Sequence, residues 1–107
     1  MKMFFKSVVV VAGLAGSMGA VAAGDVEAGK AASATCAGCH GADGNSVMPS
    51  FPKLAGQGEK YLVKQLNDIK SGARPVLEMT GLLDALSAQD IANLAAYFSS
   101  QTGSAGQ

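Results

Sequence analysis

The sequence is poor in the residues that most often bind metal ions in small domains. Its 107 residues include one histidine and two cysteines, so a zinc site built from four Cys and His ligands is excluded. Charge is also scarce and balanced, with eight basic and eight acidic residues. This balance excludes the basic surface that nucleic-acid binding requires. The length provides for one domain and not two.

A long apolar run is missing as well. Lys2 and Lys6 precede an interrupted apolar run over residues 8–15, and small residues follow at 19–23. The run is shorter than the roughly 20 apolar residues that a membrane-spanning helix needs. This order of basic, apolar and small residues is typical of a secretory signal peptide, and an uncleaved membrane anchor is the alternative.

We therefore predict a signal peptide over residues 1–23, with cleavage after Ala22 or Ala23, and a single domain over 24–107. Cleavage removes two lysines and no acids, which changes the formal net charge from 0 to about −2. The expected location is the periplasm, with no stable membrane insertion once the signal peptide is gone.

The periodicity of apolar residues predicts an all-α domain without strands. Asp25 is placed as the N-cap of the first helix, and Ser87 with Asp90 as a capping box for the last one. A glycine-rich loop separates the first two helices, and loops of that length in small domains are usually functional. The predicted elements are helices over about 26–35 and 59–71, a loop over 41–58, a short helix near Leu82, Leu83 and Leu86, and a terminal helix after Ser87.

Cys36, Cys39 and His40 form the motif CxxCH. Two thiols at this spacing can add to the two vinyl groups of one haem, and the adjacent imidazole can then ligate the iron. A disulfide at this spacing would close a ring too small to stabilise the fold much. A redox dithiol is expected after a strand, whereas a helix is predicted before this motif. The motif therefore predicts one haem c, attached through both cysteines and ligated by His40.

The second axial ligand cannot be a histidine, because His40 is the only one in the chain. Methionine is the alternative, and His/Met ligation raises the potential of a haem. Met48 and Met79 remain after signal cleavage. Eight residues separate His40 from Met48 and could reach about 27 Å, so chain length does not exclude it. The longer spacing favours Met79, although either methionine could simply fill the core.

Several further motifs accompany CxxCH. They are GDVEAGK at residues 24–30, CAGCHGADG at 36–44, FPKLAGQ at 51–57, YLVKQL at 61–66, SGAR at 71–74 and LSAQDIANLAAYFSSQ at 86–101. Together they resemble class I cytochromes c, and more narrowly the bacterial cytochrome c-four and c-five group. Cytochrome c-four proteins carry two haem domains and cytochrome c-five proteins often carry an extra cysteine pair, whereas this chain has one CxxCH and no further cysteine.

The resemblance implies specific roles. Met79 matches the distal iron ligand of the family, and Pro52 matches the proline whose carbonyl accepts from Nδ1 of the ligand histidine. Arg74 matches a family position near the haem propionates. Gly29 matches the glycine at which the first and last helices cross, with Tyr97 as its partner. The implied fold is a small cytochrome c fold, with about four helices around one covalently bound haem.

The implied function is one-electron transfer, without enzymatic activity, between redox partner proteins such as a membrane reductase and a terminal oxidase or reductase. The alternatives are a haem subunit bound permanently to a dehydrogenase or reductase, and a gas sensor or small haem enzyme. A domain this small needs more apolar core than its own side chains supply, and a haem would provide it. The side chains expected to bury the haem are apolar: Leu54, Leu62, Leu66, Ile69, Leu82, Leu83, Leu94 and Phe98.

Overall fold

The computed structural model describes residues 21–103. These residues form four α-helices and no strand, which confirms the all-α prediction. None of the helices in this part of the chain is long and apolar enough to cross a membrane. The predicted signal peptide lies outside the described residues except for 21–23. The helices are α1 (Val26–Ala32), α2 (Ala34–His40), α3 (Glu59–Ser71) and α4 (Ala88–Ser99), with a 3₁₀ turn at Leu77–Met79.

The first helical stretch is interrupted at Ser33, so the prediction of one helix over 26–35 is wrong. Asp25 does cap α1, since its carboxylate accepts from the N–H of Ala28 at 2.7 Å. At the other end of α1, the buried hydroxyl of Ser33 donates to the Lys30 carbonyl at 2.7 Å. This side-chain bond competes with the helical pattern. The chain then starts a second helix that contains the whole CxxCH motif.

Helix α3 begins and ends at the predicted residues, and α4 begins directly after Ser87 as predicted. Gly72 ends α3 with a φ of +88°, a left-handed conformation that favours glycine. Ser87 and Asp90 form the predicted capping box at the start of α4, each side chain accepting from the other residue's backbone N–H. The buried core centres on α4 and α3. Its members are Leu62, Leu94, Ala95, Tyr97 and Phe98.

The crossing of α1 over α4 depends on Gly29. A Cβ at this position would lie 2.0 Å from the carbonyl oxygen of Asn93 and 2.8 Å from the Cβ of Tyr97. The predicted contact between Gly29 and Tyr97 is therefore confirmed. The sequence analysis missed Asn93, whose backbone is the nearer neighbour and whose side-chain oxygen also accepts from the N–H of Asp25 at 2.9 Å.

The segment between α3 and α4 lacks the short helix predicted near Leu82, Leu83 and Leu86. It contains instead the 3₁₀ turn at Leu77–Met79 and a series of tight turns. Gly81 adopts a φ of +81°, which a continuing right-handed helix does not allow. Leu83 is still buried, at 3% exposure. The apolar pattern therefore predicted the burial of this side chain correctly, although it predicted a helix where the backbone forms turns.

Candidate functional site

A large hollow lies between α3, α4 and the two loops that join the helices. It contains about 980 Å³ of space free of protein atoms, and a second hollow of about 530 Å³ shares many of its residues; both figures include space open to solvent. Each of the eight apolar side chains that the sequence analysis expects to bury a haem lines one or both of these hollows. The residues that line both hollows are Cys36, His40, Phe51, Glu78, Met79 and Leu94.

The side chains of the CxxCH motif share one face of α2. Positions i, i+3 and i+4 lie on the same side of a helix, so the geometry of α2 groups Cys36, Cys39 and His40. The helix ends directly after the motif at Gly41, which has a φ of +86°. A Cβ on Gly41 would lie 2.7 Å from the carbonyl oxygen of Asn45, so the turn requires glycine for space as well as for φ.

His40 is buried and held by one hydrogen bond. Its Nδ1–H donates to the carbonyl of Pro52 at 2.8 Å. A carbonyl can only accept, so this bond assigns the ring proton to Nδ1 and leaves the Nε2 lone pair available as a ligand. This is the contact that the resemblance implied for Pro52. The ring of Phe51 approaches the imidazole edge-on, with 6.4 Å between the ring centroids.

The two cysteines are free thiols with different exposure. Cys36 is partly buried, and this burial raises the pKa of its thiol, whereas Cys39 is exposed. Cys36 lines both hollows and Cys39 lines the smaller one. In residues 21–103, no three His, Cys, Asp or Glu side chains come together in a way that could hold a bare metal ion. The thiols therefore border an apolar hollow rather than a metal site made of side chains.

The two candidate methionines differ in their position. Met79 is partly buried and lines both hollows together with His40. Met48 is half exposed, at 50%, and among the described residues it is not part of either lining. Its backbone is held by Ser46, whose hydroxyl donates to the Met48 carbonyl at 2.9 Å. Of these two methionines, only Met79 borders the same hollows as His40, where both side chains could ligate one iron ion.

Arg74 also lines the larger hollow, at the start of the segment that carries Met79. Its guanidinium donates to the side-chain oxygen of Gln65 at 2.7 Å, and its backbone N–H donates to the carbonyl of Asp68 at 2.9 Å. The sequence analysis did not assign Gln65 a role. The signal that could have identified it is an amide placed beside the apolar face of α3.

The loop after the CxxCH motif is joined to α4 by a contact that the sequence did not reveal. The hydroxyl of Tyr97 donates to the carbonyl of Ala42 at 2.8 Å, although 55 residues separate the two. Tyr97 also packs against Phe98, with 5.1 Å between the ring centroids. One side chain thus contacts both the α1–α4 crossing and the loop that follows His40.

Comparison with known proteins assigns this arrangement to a family. The family model described as Cytochrome c matches residues 26–102. The chain belongs to the cytochrome c family. Within this family it is a class I c-type cytochrome of the c4 group, and its four helices have the cytochrome c fold. The described side chains fit haem c, the cofactor of this family, because two free thiols, a Nδ1-protonated imidazole and a methionine all border the smaller apolar hollow.

Individual cytochromes are similar over most of this chain. Cytochrome c4 of Pseudomonas aeruginosa is 59% identical over 100 residues, which cover 94% of this chain and 49% of that protein. Cytochrome c-554(548) of Halomonas halodenitrificans is 42% identical over 82 residues, covering 74% of this chain and 99% of that protein. The crystal structure of reduced recombinant cytochrome c4 from Pseudomonas stutzeri has a TM-score of 0.75 at 62% identity, covering 77% of this chain and 48% of that one.

The chain therefore spans about half the length of the cytochromes c4 that it matches, and nearly the whole length of cytochrome c-554(548). The motifs resemble the cytochrome c-four and c-five group, and the similarity to cytochrome c4 favours the cytochrome c-four side of it. No cysteine pair other than that of CxxCH is present in the sequence.

Proposed function

We propose that this cytochrome is a periplasmic one-electron carrier with one haem c, bound through Cys36 and Cys39 and ligated by His40 and Met79. The observation that carries the proposal is that His40 and Met79 border the same apolar hollow. When bound, the haem supplies an Fe(II)/Fe(III) couple that gains or loses one electron.

The two proposed iron ligands, His40 and Met79, favour electron transfer over catalysis. His40 and Met79 would hold the haem iron through a nitrogen and a sulfur atom, and with both bound no coordination position would be left for a substrate. The neutral thioether of a methionine favours the reduced state, so this pair raises the potential relative to other ligand sets. The alternative of a gas sensor or haem enzyme would require Met79 to leave.

The remaining side chains fix the ligands and keep water away. Pro52 sets the orientation and the tautomer of His40, which makes its Nε2 available for ligation. Leu62, Leu94 and Phe98 are buried around the hollow and provide an apolar environment that hardly reorganises when charge changes. Arg74 lines the same hollow, which supports a proposed role in pairing with a haem propionate.

The proposed partners are redox proteins that deliver and accept single electrons, such as a membrane reductase and a terminal oxidase or reductase. The proposed export depends on the signal peptide over residues 1–23, and covalent haem attachment to a CxxCH motif agrees with export.

Covalent attachment gives the first testable prediction. Acid–organic extraction should leave the haem on the polypeptide, because two thioether bonds hold it. Mass spectrometry should show the mature chain plus one haem. Cys36→Ser should retain a single thioether and accumulate as holoprotein at a small fraction of the parent level.

The control for this prediction is Ser50→Ala, at a polar residue that lines the larger hollow without belonging to the motif. It should carry haem at the parent level. Haem that extracts into the organic phase from the parent protein, or zinc in place of haem, would contradict the proposal.

A further inference from the structure

The segment that carries Met79 has little structure of its own. Between Gly72 and Ser87 it contains a single 3₁₀ turn and isolated turn hydrogen bonds, and most of its residues are exposed. The backbone bonds of Met79 itself are local: its N–H donates to the Val76 carbonyl at 3.0 Å, and its carbonyl accepts from the N–H of Leu82 at 3.0 Å. Such a segment can move away from a core at low cost unless other parts of the protein hold it.

Helix α3 contacts the segment that carries Met79 at both ends of the segment. At the beginning, Gln65 accepts from the Arg74 guanidinium at 2.7 Å, and the Asp68 carbonyl accepts from the Arg74 N–H at 2.9 Å. At the end, the ammonium group of Lys70 donates to the carbonyl of Leu86. Lys70 lies in the last turn of α3, and Leu86 directly precedes the N-cap of α4.

We propose that Lys70 and Gln65 are positioning residues, which keep Met79 in place because their hydrogen bonds hold both ends of its segment against α3. The inference rests on the proposed function, in which the sulfur of Met79 ligates the iron. A neutral thioether is a weak ligand of Fe(III), so the ease with which another ligand replaces it depends on the free energy of moving the segment. Each of the two side-chain hydrogen bonds raises the free energy of moving the segment by about the net value of one hydrogen bond.

The test is an imidazole titration of ferric holoprotein, because added imidazole competes with Met79 for the iron. Lys70→Met keeps the aliphatic stem of the side chain and removes its donor. We expect imidazole to bind about threefold to tenfold more tightly than in the parent, since the segment opens more readily. Gln65→Leu should act in the same direction, and Lys70→Arg, which keeps a donor, should restore most of the parent affinity.

The matched control is Lys64→Met, which removes the same charge from the same helix. Lys64 pairs with the Asp68 carboxylate across one helical turn at 2.5 Å and contacts solvent elsewhere. Its imidazole affinity and its denaturant midpoint should equal those of the parent. Besides binding imidazole more tightly, Lys70→Met should also lose a similar small amount of unfolding free energy, because its hydrogen bond is absent from the unfolded chain as well as from the opened segment.

Several results would overturn the inference. Equal imidazole affinity in Lys70→Met and Lys64→Met would do so, as would an imidazole affinity of Gln65→Leu equal to that of the parent. A bond between a methionine sulfur and Fe(III) gives a weak far-red absorption band in the oxidised protein. A parent protein that lacks this band has no methionine ligand, and that result would instead contradict the proposed function.

Discussion

Replacing Met79 with alanine should abolish the weak far-red band of the oxidised protein and lower its midpoint potential. The band arises from the bond between sulfur and Fe(III), so it requires the thioether. Loss of the thioether removes a ligand that favours Fe(II), and we expect the potential to fall by on the order of 0.2 V, a fraction of the roughly 0.8 V that axial ligands span. An optical redox titration measures both effects in one sample.

The same substitution at Met48 is the natural control. Met48 is half exposed, and its hydrogen bonds, to the Ser46 hydroxyl and the Phe51 N–H, are made by its backbone. Met48→Ala should therefore keep the far-red band and the parent potential. If Met48→Ala lost the band and Met79→Ala kept it, the ligand assignment would be wrong, and the shared hollow would not indicate the ligand pair.

The second large effect concerns Gly29. In Gly29→Ala the new Cβ would lie 2.0 Å from the carbonyl oxygen of Asn93 and 2.6 Å from its carbonyl carbon. Both atoms belong to the backbone of α4, so α1 must move away. We expect a loss of about 2–3 kcal/mol of unfolding free energy for alanine and more for valine, near or beyond the usual range for overpacking. Denaturant melts of holoprotein measure the loss.

Helix propensity predicts the opposite sign, which makes Gly38 a useful control. Gly38 lies in α2, and a Cβ there would meet no atom within 4 Å. Gly38→Ala should therefore gain up to about 1 kcal/mol from propensity alone. A Gly29→Val protein as stable as the parent would show that the helices do not approach closely at this crossing, and the contact with Tyr97 would fail with it.

The parts of the fold that the sequence predicted are those defined by local chemistry. The start of α4 follows from Ser87 and Asp90, and the end of α3 follows from Gly72, because capping depends on residues only a few positions apart. The CxxCH motif is local in the same sense, since the spacing of its side chains is set within one helix.

The parts that could not be predicted depend on contacts between distant residues or on near-equal local alternatives. At Ser33, the choice between one long helix and two short ones depends on where a single hydroxyl donates. The segment after Pro75 carries leucines at helical spacing, but its backbone is determined by turns and by contacts with α3. Gln65 and Asn93 likewise gain their roles only from partners that the fold brings to them.

The position of Met79 lies between these two cases. Its spacing from His40 favoured it over Met48, and the resemblance to the family selected it. The structure adds that its side chain borders the same hollow as His40. Spacing alone could not show this, because an irregular segment can direct a given side chain inward or outward.

A single optical redox titration of the purified, oxidised holoprotein tests the account most directly. It should show a low-spin c-type spectrum, the far-red sulfur-to-iron band in the oxidised state, and one transition that follows the Nernst equation for one electron. A high-spin spectrum without that band, or rapid binding of carbon monoxide by the reduced protein at neutral pH, would mean that an axial position is open. Either result would contradict the assignment of this chain as a His40/Met79-ligated electron carrier.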